Sequence, residues 1–456
     1  MLRFPIVAVL VLLLAACGGP TPAADAGSAA GGNAAGGNVA GGNVAGGNAA
    51  GGNVAGGNTA GGNTAGGTAG GSSATDGGAY PWYPSLNLTA IPWHTAAGPW
   101  GARVTLQAPA APVTTRMVSV STPAAFNTEA QVAGTQVRVT ASWTNGVAIA
   151  ANDIDVILEP QVSIGHLEIG TFSNPMVSRI RVRGPTPGQR SGGRLGQLRL
   201  RDGVTDVIVD GVDLNGAANF GNPAEENQAF RVGSVSRMAV LHCRVIAAGY
   251  TWLGSASHLV IANTNFFHGG ATRAATGFVE GWGIRNTAGP MTIVDSRVQG
   301  TRYHNLRAQS VDGPAELLYV TRSVFVGVAE GRTAWLWSNL NNGPFRGDGA
   351  ILEGNDIYSY TAPGCGFGPE IAAPDVQFSR LRNNRFFGGG SAVNSQTMLN
   401  GLASSYVGDH DWSVGNTFAT LPAQLPAWAG PGDPTQIPLP NGLVRITGEG
   451  TCPSGP

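Results

Sequence analysis

The feature that most constrains the fold is a unit of two short strand-like runs that recurs through the second half of the chain. Its clearest copy is Tyr303-His304-Asn305-Leu306-Arg307-Ala308-Gln309-Ser310, then Leu317-Leu318-Tyr319-Val320-Thr321-Arg322-Ser323-Val324-Phe325, with a turn at Asp312-Gly313-Pro314 between them. Variants of the second run include Val207-Ile208-Val209-Asp210-Gly211-Val212-Asp213-Leu214, Leu259-Val260-Ile261-Ala262-Asn263-Thr264-Asn265-Phe266 and Ala350-Ile351-Leu352-Glu353-Gly354-Asn355-Asp356-Ile357. Matched positions mostly recur about 21 to 33 residues apart. Short runs rich in Val, Ile and Leu and bounded by Gly and Asn read as strands. β-type repeats of this length mark a solenoid, whereas a propeller wants four antiparallel strands per blade and a longer period.

One column of the repeat reads Cys243, Thr264, Ser296, Asn355, Asn384, Asn416. Each lies two residues before the apolar end of its run, so alternation puts it on the same inward face. In a parallel stack, like residues lie ~4.8 Å apart, close enough for small polar groups to bond from coil to coil. The alternative for this column is a binding row. On these residues the domain resembles the right-handed parallel β-helix superfamily, the architecture of pectate lyases and of many bacterial β-helix repeat proteins. The resemblance spans roughly residues 155–420. It implies an all-β, single-stranded right-handed parallel β-helix solenoid with an N-terminal capping region. It does not imply one activity, because the fold hosts lyases, hydrolases, adhesins and tailspikes.

The N-terminus sets the expected compartment. One positive charge at Arg3 precedes an apolar run from Phe4 to Ala16, too short for a permanent membrane helix and ending in small residues like a secretory signal. Leu14-Ala15-Ala16-Cys17 resembles the bacterial lipobox, which implies cleavage before Cys17 and lipidation of it. Gly18 stands where an aspartate would signal inner-membrane retention, so the resemblance implies an outer membrane lipoprotein, on the periplasmic or the cell-surface side. A tract of Gly, Asn and Ala follows, with almost no charge or large apolar residue to offset ordering. It reads as a flexible tether with a reach of roughly 40–45 Å. The expected layout is 1–16 signal peptide, 17–76 lipidated cysteine and tether, 77–154 N-terminal cap, 155–430 β-helix and 431–456 C-terminal tail. Within the cap, Thr122-Pro123 should open a short helix running to Ala130, with Thr as cap and Pro at its first position. Residues 80–115, rich in Pro, Trp and Ala, carry no clear pattern.

Composition narrows the function. A formal net charge of −1 and 12% charged residues give no case for nucleic-acid binding. The lipid anchor is the only membrane contact expected. There are 4 cysteines. Cys17 is assigned to lipid, and Cys243 sits mid-strand where a small thiol packs well. Cys365 and Cys452 remain as the candidate disulfide of an exported protein. No zinc-like Cys/His spacing occurs, no calcium motif is seen, and any Ca2+ requirement is left open.

The chemistry is expected on the outward side of the first run in each coil. With Phe230, Leu253, Ile284, Leu306 and Leu336 placed inward, alternation makes Arg231, Gly254, Arg285, Arg307 and Trp337 one outward column. Trp252, Asn305 and Trp335 fall in the neighbouring outward column, and Tyr303 and Gln309 extend it. Guanidinium groups pair bidentately with carboxylates, and exposed indoles stack on sugar rings, so the partner implied is an acidic polysaccharide. Arg231, Arg285, Asn305, Gln309, Trp252, Trp335 and Trp337 are the candidate binding residues. The plain alternative pairs the arginines with Glu225, Glu226, Glu280 or Asp312 and packs the tryptophans under loops. The pectin-hydrolase motifs and the Arg-x-Pro-x-x-Arg signature of pectate lyases are both absent. A β-eliminating lyase needs a group to neutralise the uronate carboxylate and a base for the C5 proton. Arg307 is the candidate for the first, and Tyr303 or His304 for the second, although strict alternation turns His304 inward. Three readings stay open: a polysaccharide-binding protein that is also a lyase, a non-catalytic surface or adhesion protein, and a glycoside hydrolase.

Overall fold

The Val-, Ile- and Leu-rich runs are strands, and each pairs in parallel with its counterpart one repeat later. The computed structural model describes residues 79–80, 83–87 and 106–437, less 217–227, 248–250, 269–271, 274–276, 279–281, 302–303, 309–317, 330–331, 337–348, 362–370, 373–377, 389–394, 407, 425 and 429–431. Register partners lie 19 residues apart early on (Val118 and Val137) and 32 apart later (Leu259 and Met291). The chain therefore winds as a parallel β-helix and presents three faces.

Face one is built from strands such as Ser163–Ile169, Arg194–Leu200, Trp282–Asn286, His304–Ala308 and Arg332–Leu336, with the first residues of Phe230–Leu241 and Trp252–Ala262. Face two includes Thr135–Val139, Ile154–Leu158, Ser178–Arg183, Thr205–Asp210, Met291–Val294, Leu318–Thr321 and Ala350–Glu353. Face three includes Asp213–Asn215, Arg244–Ala247, Asn265–His268, Arg297–Thr301, Val324–Ala329 and Asp356–Thr361. On the inside of face two, one column runs from Val137 through Val209, Ile261 and Val320 to Leu381, all fully buried. Burial of each such side chain contributes about 1.5–3 kcal/mol before conformational entropy is counted.

The parallel ladder begins at Arg116–Val120, which pairs with Thr135–Val139. Much of the segment expected as a separate cap is thus already coil. The cap proper is helix α1, Pro123–Glu129, opened as expected by Thr122, whose hydroxyl accepts from the Ala125 N–H at 3.2 Å. It buries Phe126 against the edge of Trp143. At the other end helix α2, Gln396–Ser405, is capped by Ser395, buries Leu399 and Ala403, and packs on the strand Asp409–Val414.

The polar column is internal and forms one continuous ladder at the corner between faces two and three. The backbone N–H of Cys243 donates to Thr264 Oγ1 (3.2 Å), Thr264 to Ser296 Oγ (3.1 Å), Ser296 to Ser323 Oγ (3.2 Å) and Ser323 to Asn355 Oδ1 (2.9 Å). Asn355 donates in turn to Asn384 Oδ1 and Asn384 to Asn416 Oδ1, both at 3.0 Å. Cys243 to Asn384 are buried and Asn416 is half-buried. The residue before each rung has positive φ: His242, Asn263, Asp295, Arg322, Gly354, Asn383 and Gly415. The left-handed conformation turns the corner and aims the next N–H along the axis. Burial pushes the Cys243 thiol up, so it acts here as a neutral packed group.

Both ends of the described chain lie back along the solenoid. Residues 106–115 run over the outside of face two, where Leu106, Ala108 and Ala111 pack on Ile208, Ala239, Leu241 and Val260. Backbone N–H groups three residues apart are caught by side chains two coils apart. Gln107 donates to His258 Nδ1 (3.2 Å), Ala110 to Asp206 Oδ1 (3.0 Å) and Val113 to Asp153 Oδ1 (3.0 Å). Three residues at the polyproline II rise of ~3.1 Å span about 9.3 Å, and two coils at ~4.8 Å span about 9.6 Å. Pro109 and Pro112 keep the same three-residue spacing and fall where no donor is used. Residues 421–437 return over face three. Leu421 packs at Tyr358, Arg297 Nη1 donates to the Pro426 carbonyl (2.7 Å) with its guanidinium 4.1 Å from the Trp428 ring centroid, and Arg244 Nη1 donates to the Asp433 carbonyl (3.0 Å).

Candidate functional site

Among the described residues, neither end segment crosses face one. Its outer column, read by register, is Glu168, Arg199, Arg231, Leu253, Arg285, Arg307, Leu336. One outward position earlier, Gln197, Ala229 and Thr251 are fully buried, so the entry side of the face is roofed and the arginine column lies on its exit side.

On the other faces six arginines pair with an aspartate one coil before them, while Arg138 and Arg380 pair with an acid one coil after. The six pairs are Asp153–Arg179 (2.6 Å), Asp155–Arg181 (2.8 Å), Asp206–Arg237 (2.6 Å), Asp213–Arg244 (2.5 Å), Asp295–Arg322 (2.7 Å) and Asp356–Arg385 (2.5 Å). For Asp155, burial works against ionisation, but the hydrogen bonds and charges of Arg181 and Arg183 outweigh it and hold the carboxyl below its usual range. On face one two arginines follow an arginine in register. The register neighbours of Arg231 are Arg199 and Leu253, and those of Arg307 are Arg285 and Leu336. The one acid in the column, Glu168, is paired with Arg201. Unit charges one coil apart repel by roughly 1 kcal/mol in bulk water and about 3 kcal/mol at an effective dielectric of ~20. Arg199 and Arg231 are half-buried and hold interactions of their own, so neither is a bare guanidinium.

Arg231, Arg285 and Arg307 share the one column expected of them, and Asn305 stands in register beside Gly283 in the neighbouring outward column. Trp252 is a correction. It was expected outward, but it pairs with Phe230 and Ile284, is fully buried, and packs against the Phe230 ring at a tilt of 42° with centroids 5.0 Å apart. Adjacent Trp252 and Leu253 leave two registers open to an alternation argument. Gly254 decides between them: a Cβ there would come within 2.6 Å of Val232 Cβ and 3.0 Å of the Trp252 indole nitrogen, so only glycine leaves space for that ring inside. The same one-residue shift gives Trp335 the register position of Leu306, and gives Leu253 and Leu336 positions in the arginine column. Neither Trp252 nor Trp335 therefore holds the outward position proposed for sugar stacking. His304 is in register with Trp282 and has the parity of Leu306.

Tyr303, Gln309, Trp337, Cys17, Cys365 and Cys452 lie outside the described residues, as do Glu225, Glu226, Glu280 and Asp312. Among the described residues no group of three or more His, Cys, Asp or Glu is placed to hold a metal ion. Comparison with protein-family models, curated proteins and solved structures finds no match for this chain.

Proposed function

We propose that the protein is exported and membrane-tethered, and that it binds an acidic polysaccharide along the arginine column of face one. The observation that supports this is the succession of arginine on arginine in the register of face one. Six arginines on the other faces are matched by an aspartate one coil before, while Arg231 follows Arg199 in register and Arg307 follows Arg285. A polyuronate brings a carboxylate on each sugar and relieves that repulsion through bidentate pairs. Its chain would run along the solenoid axis. The tether rests on Cys17 and the Gly/Asn/Ala tract.

Cleavage by β-elimination is a second reading, which rests on Tyr303 and His304 standing beside Arg307 in sequence, His304 with the inward parity of Leu306. A base next to a carboxylate-neutralising cation is what that reaction needs.

The test is titration of the full-length protein in detergent with polygalacturonate, alginate and hyaluronan, with absorbance of unsaturated product recorded in parallel. Arg307→Ala should weaken binding about tenfold or more, since a charge-assisted bond contributes roughly 1.5–3 kcal/mol. Salt should weaken the wild type more than the variant. Arg322→Ala, which removes an aspartate-paired arginine from another face, should leave binding unchanged. If no polymer binds, or Arg307→Ala binds as the wild type does, the reading fails. If product forms, Tyr303→Phe or His304→Ala should abolish turnover while sparing binding. Binding without product selects the non-catalytic surface protein.

A further inference from the structure

A concave site lies where the chain turns from face one to face two. It is an open trough of about 290 Å³ formed by Gly203, Val204 and Thr205 on one coil, Ser234 to Ser236 on the next, Ser255 and Ser257 on the third, and Ala288 beyond. The register sets Ser234 beside Ser255 and Ser236 beside Ser257. Ser257 donates to the Val235 carbonyl (3.4 Å), but among the described residues the hydroxyls of Ser234, Ser236 and Ser255 make no hydrogen bond. The floor is Val204 and Val235, both buried. The trough thus combines carbon walls with unspent hydroxyls spaced one coil apart, and it carries no charged side chain in its lining.

The loop that precedes the trough carries an exposed aromatic ring. Phe172 is 86% exposed, the most exposed large apolar side chain among the described residues. It is held rather than loose. The Arg201 guanidinium sits 3.7 Å from its ring centroid and is itself fixed by Glu168. The loop carrying it is closed by the Thr171 N–H donating to the Asn174 carbonyl (3.0 Å) and by Asn174 Nδ2 donating to the Ala150 carbonyl (2.7 Å). That loop packs on the chain leading into the trough, with Gly170 against Arg201 and Val204 and Met176 against Gly203. One ring face is covered by Arg201, which leaves the other to solvent.

We propose that this corner is a binding site for an uncharged pyranose unit, separate from the arginine column. A pyranose has apolar C–H faces that stack on an aromatic ring and peripheral hydroxyls that both donate and accept. The trough offers matching surfaces and no charge to pay for desolvating. Its volume is at the low end for small-molecule sites and suits a sugar unit rather than a longer segment.

The experiment uses the full-length protein in detergent and neutral tetrasaccharides of glucose, galactose, mannose and xylose as probes. Binding is measured by calorimetry at low and high salt. At least one probe should bind, with affinity indifferent to salt and to Arg307→Ala. Phe172→Ala and Ser255→Ala should each weaken it about tenfold or more. Among the described residues the Ser255 hydroxyl has no hydrogen-bond partner to lose, so Ser255→Ala should keep the wild-type denaturation midpoint, which separates lost binding from lost folding. The proposal is overturned if no neutral probe binds, if both variants bind like the wild type, or if Arg307→Ala abolishes the binding. The last outcome would assign the probe to the arginine column and leave the reading of that column standing.

Discussion

Replacing Asn384 by Leu tests the internal ladder at its most heavily bonded rung. Asn384 Oδ1 accepts from both the backbone N–H and Nδ2 of Asn355, each at 3.0 Å, and its own Nδ2 donates to the Leu352 carbonyl (2.9 Å) and to Asn416 Oδ1 (3.2 Å). Leucine has nearly the same shape, so no cavity term enters. What changes is that the buried Asn355 N–H loses its only acceptor. Asn355 Nδ2 keeps the Val320 carbonyl (3.0 Å), and Asn416 Oδ1 keeps the Asn384 backbone N–H (3.0 Å). One orphaned buried donor costs about 1–3 kcal/mol, and the two weakened bonds add a fraction of that, so the expected loss is about 2–3 kcal/mol. Asn384→Ser should cost less, about 1 kcal/mol, because Ser323 already accepts the same kind of N–H bond two rungs earlier in the ladder, from Ser296. The readouts are urea denaturation and hydrogen exchange at the Asn355 amide, which should speed in the Leu variant and stay slow in the Ser variant. Equal stability of wild type and Asn384→Leu, or a Ser variant as damaged as the Leu variant, would refute the assignment of a structural ladder.

The clasp of residues 106–113 should be acid-sensitive. The hydrogen bond from Arg179 holds Asp153 below the ordinary carboxylate value of 3.8 against the opposing effect of burial, while for Asp206 burial is the largest influence but is outweighed by Arg237 and the Ala110 N–H. Both folded pKa values are depressed, so their contribution is fully present above about pH 4 and is lost as pH falls through the lower folded values. Amide exchange at Ala110 and Val113 should therefore be unchanged from pH 7 to about 4, after correction for intrinsic rates, and should accelerate below that. Exchange that instead loosens near pH 6 would put the control elsewhere. Asp206→Ala should release Ala110 at neutral pH, with Asp206→Asn much milder because an acceptor remains. Cys17→Ala should free the protein from membrane fractions or leave it unprocessed; unchanged processing and association would remove the lipid anchor.

Much of the solenoid was legible because alternation holds through the runs that end at the polar corner, although register shifts interrupt it elsewhere. The rung positions two before an apolar end could be placed inward from sequence, and the hydrogen bonds of Thr264, Ser296, Asn355 and Asn384 agree. The early coils were harder: Arg116–Val120 and Thr135–Val139 belong to coils only 19 residues long that lack a polar rung to mark them. The left-handed corner was invisible, because residues as different as His242, Asn263, Arg322 and Gly415 occupy it and their conformation is imposed by the rung that follows. At the candidate site, the arginine column was readable from spacing, while the Trp252 register depended on Gly254 making room for an indole. The 106–115 segment had no hydrophobic period to find. Its signal was the three-residue spacing of Pro109 and Pro112, which means little until the coil spacing is known.

That spacing ties the length of the solenoid to the length of a segment that is not part of it. Solenoids readily gain or lose coils one at a time, since each coil contacts only its neighbours. Beneath residues 107–113 a single added coil would move an acceptor by ~4.8 Å, about one and a half residues of an extended strap, and would bring a carbonyl where an N–H is needed. A pair of coils matches one added triplet of the Ala-Pro-x kind. Between Asp153 and His258 the repeat count is therefore gauged in twos, and length variants of this protein should change coil pairs and strap triplets together.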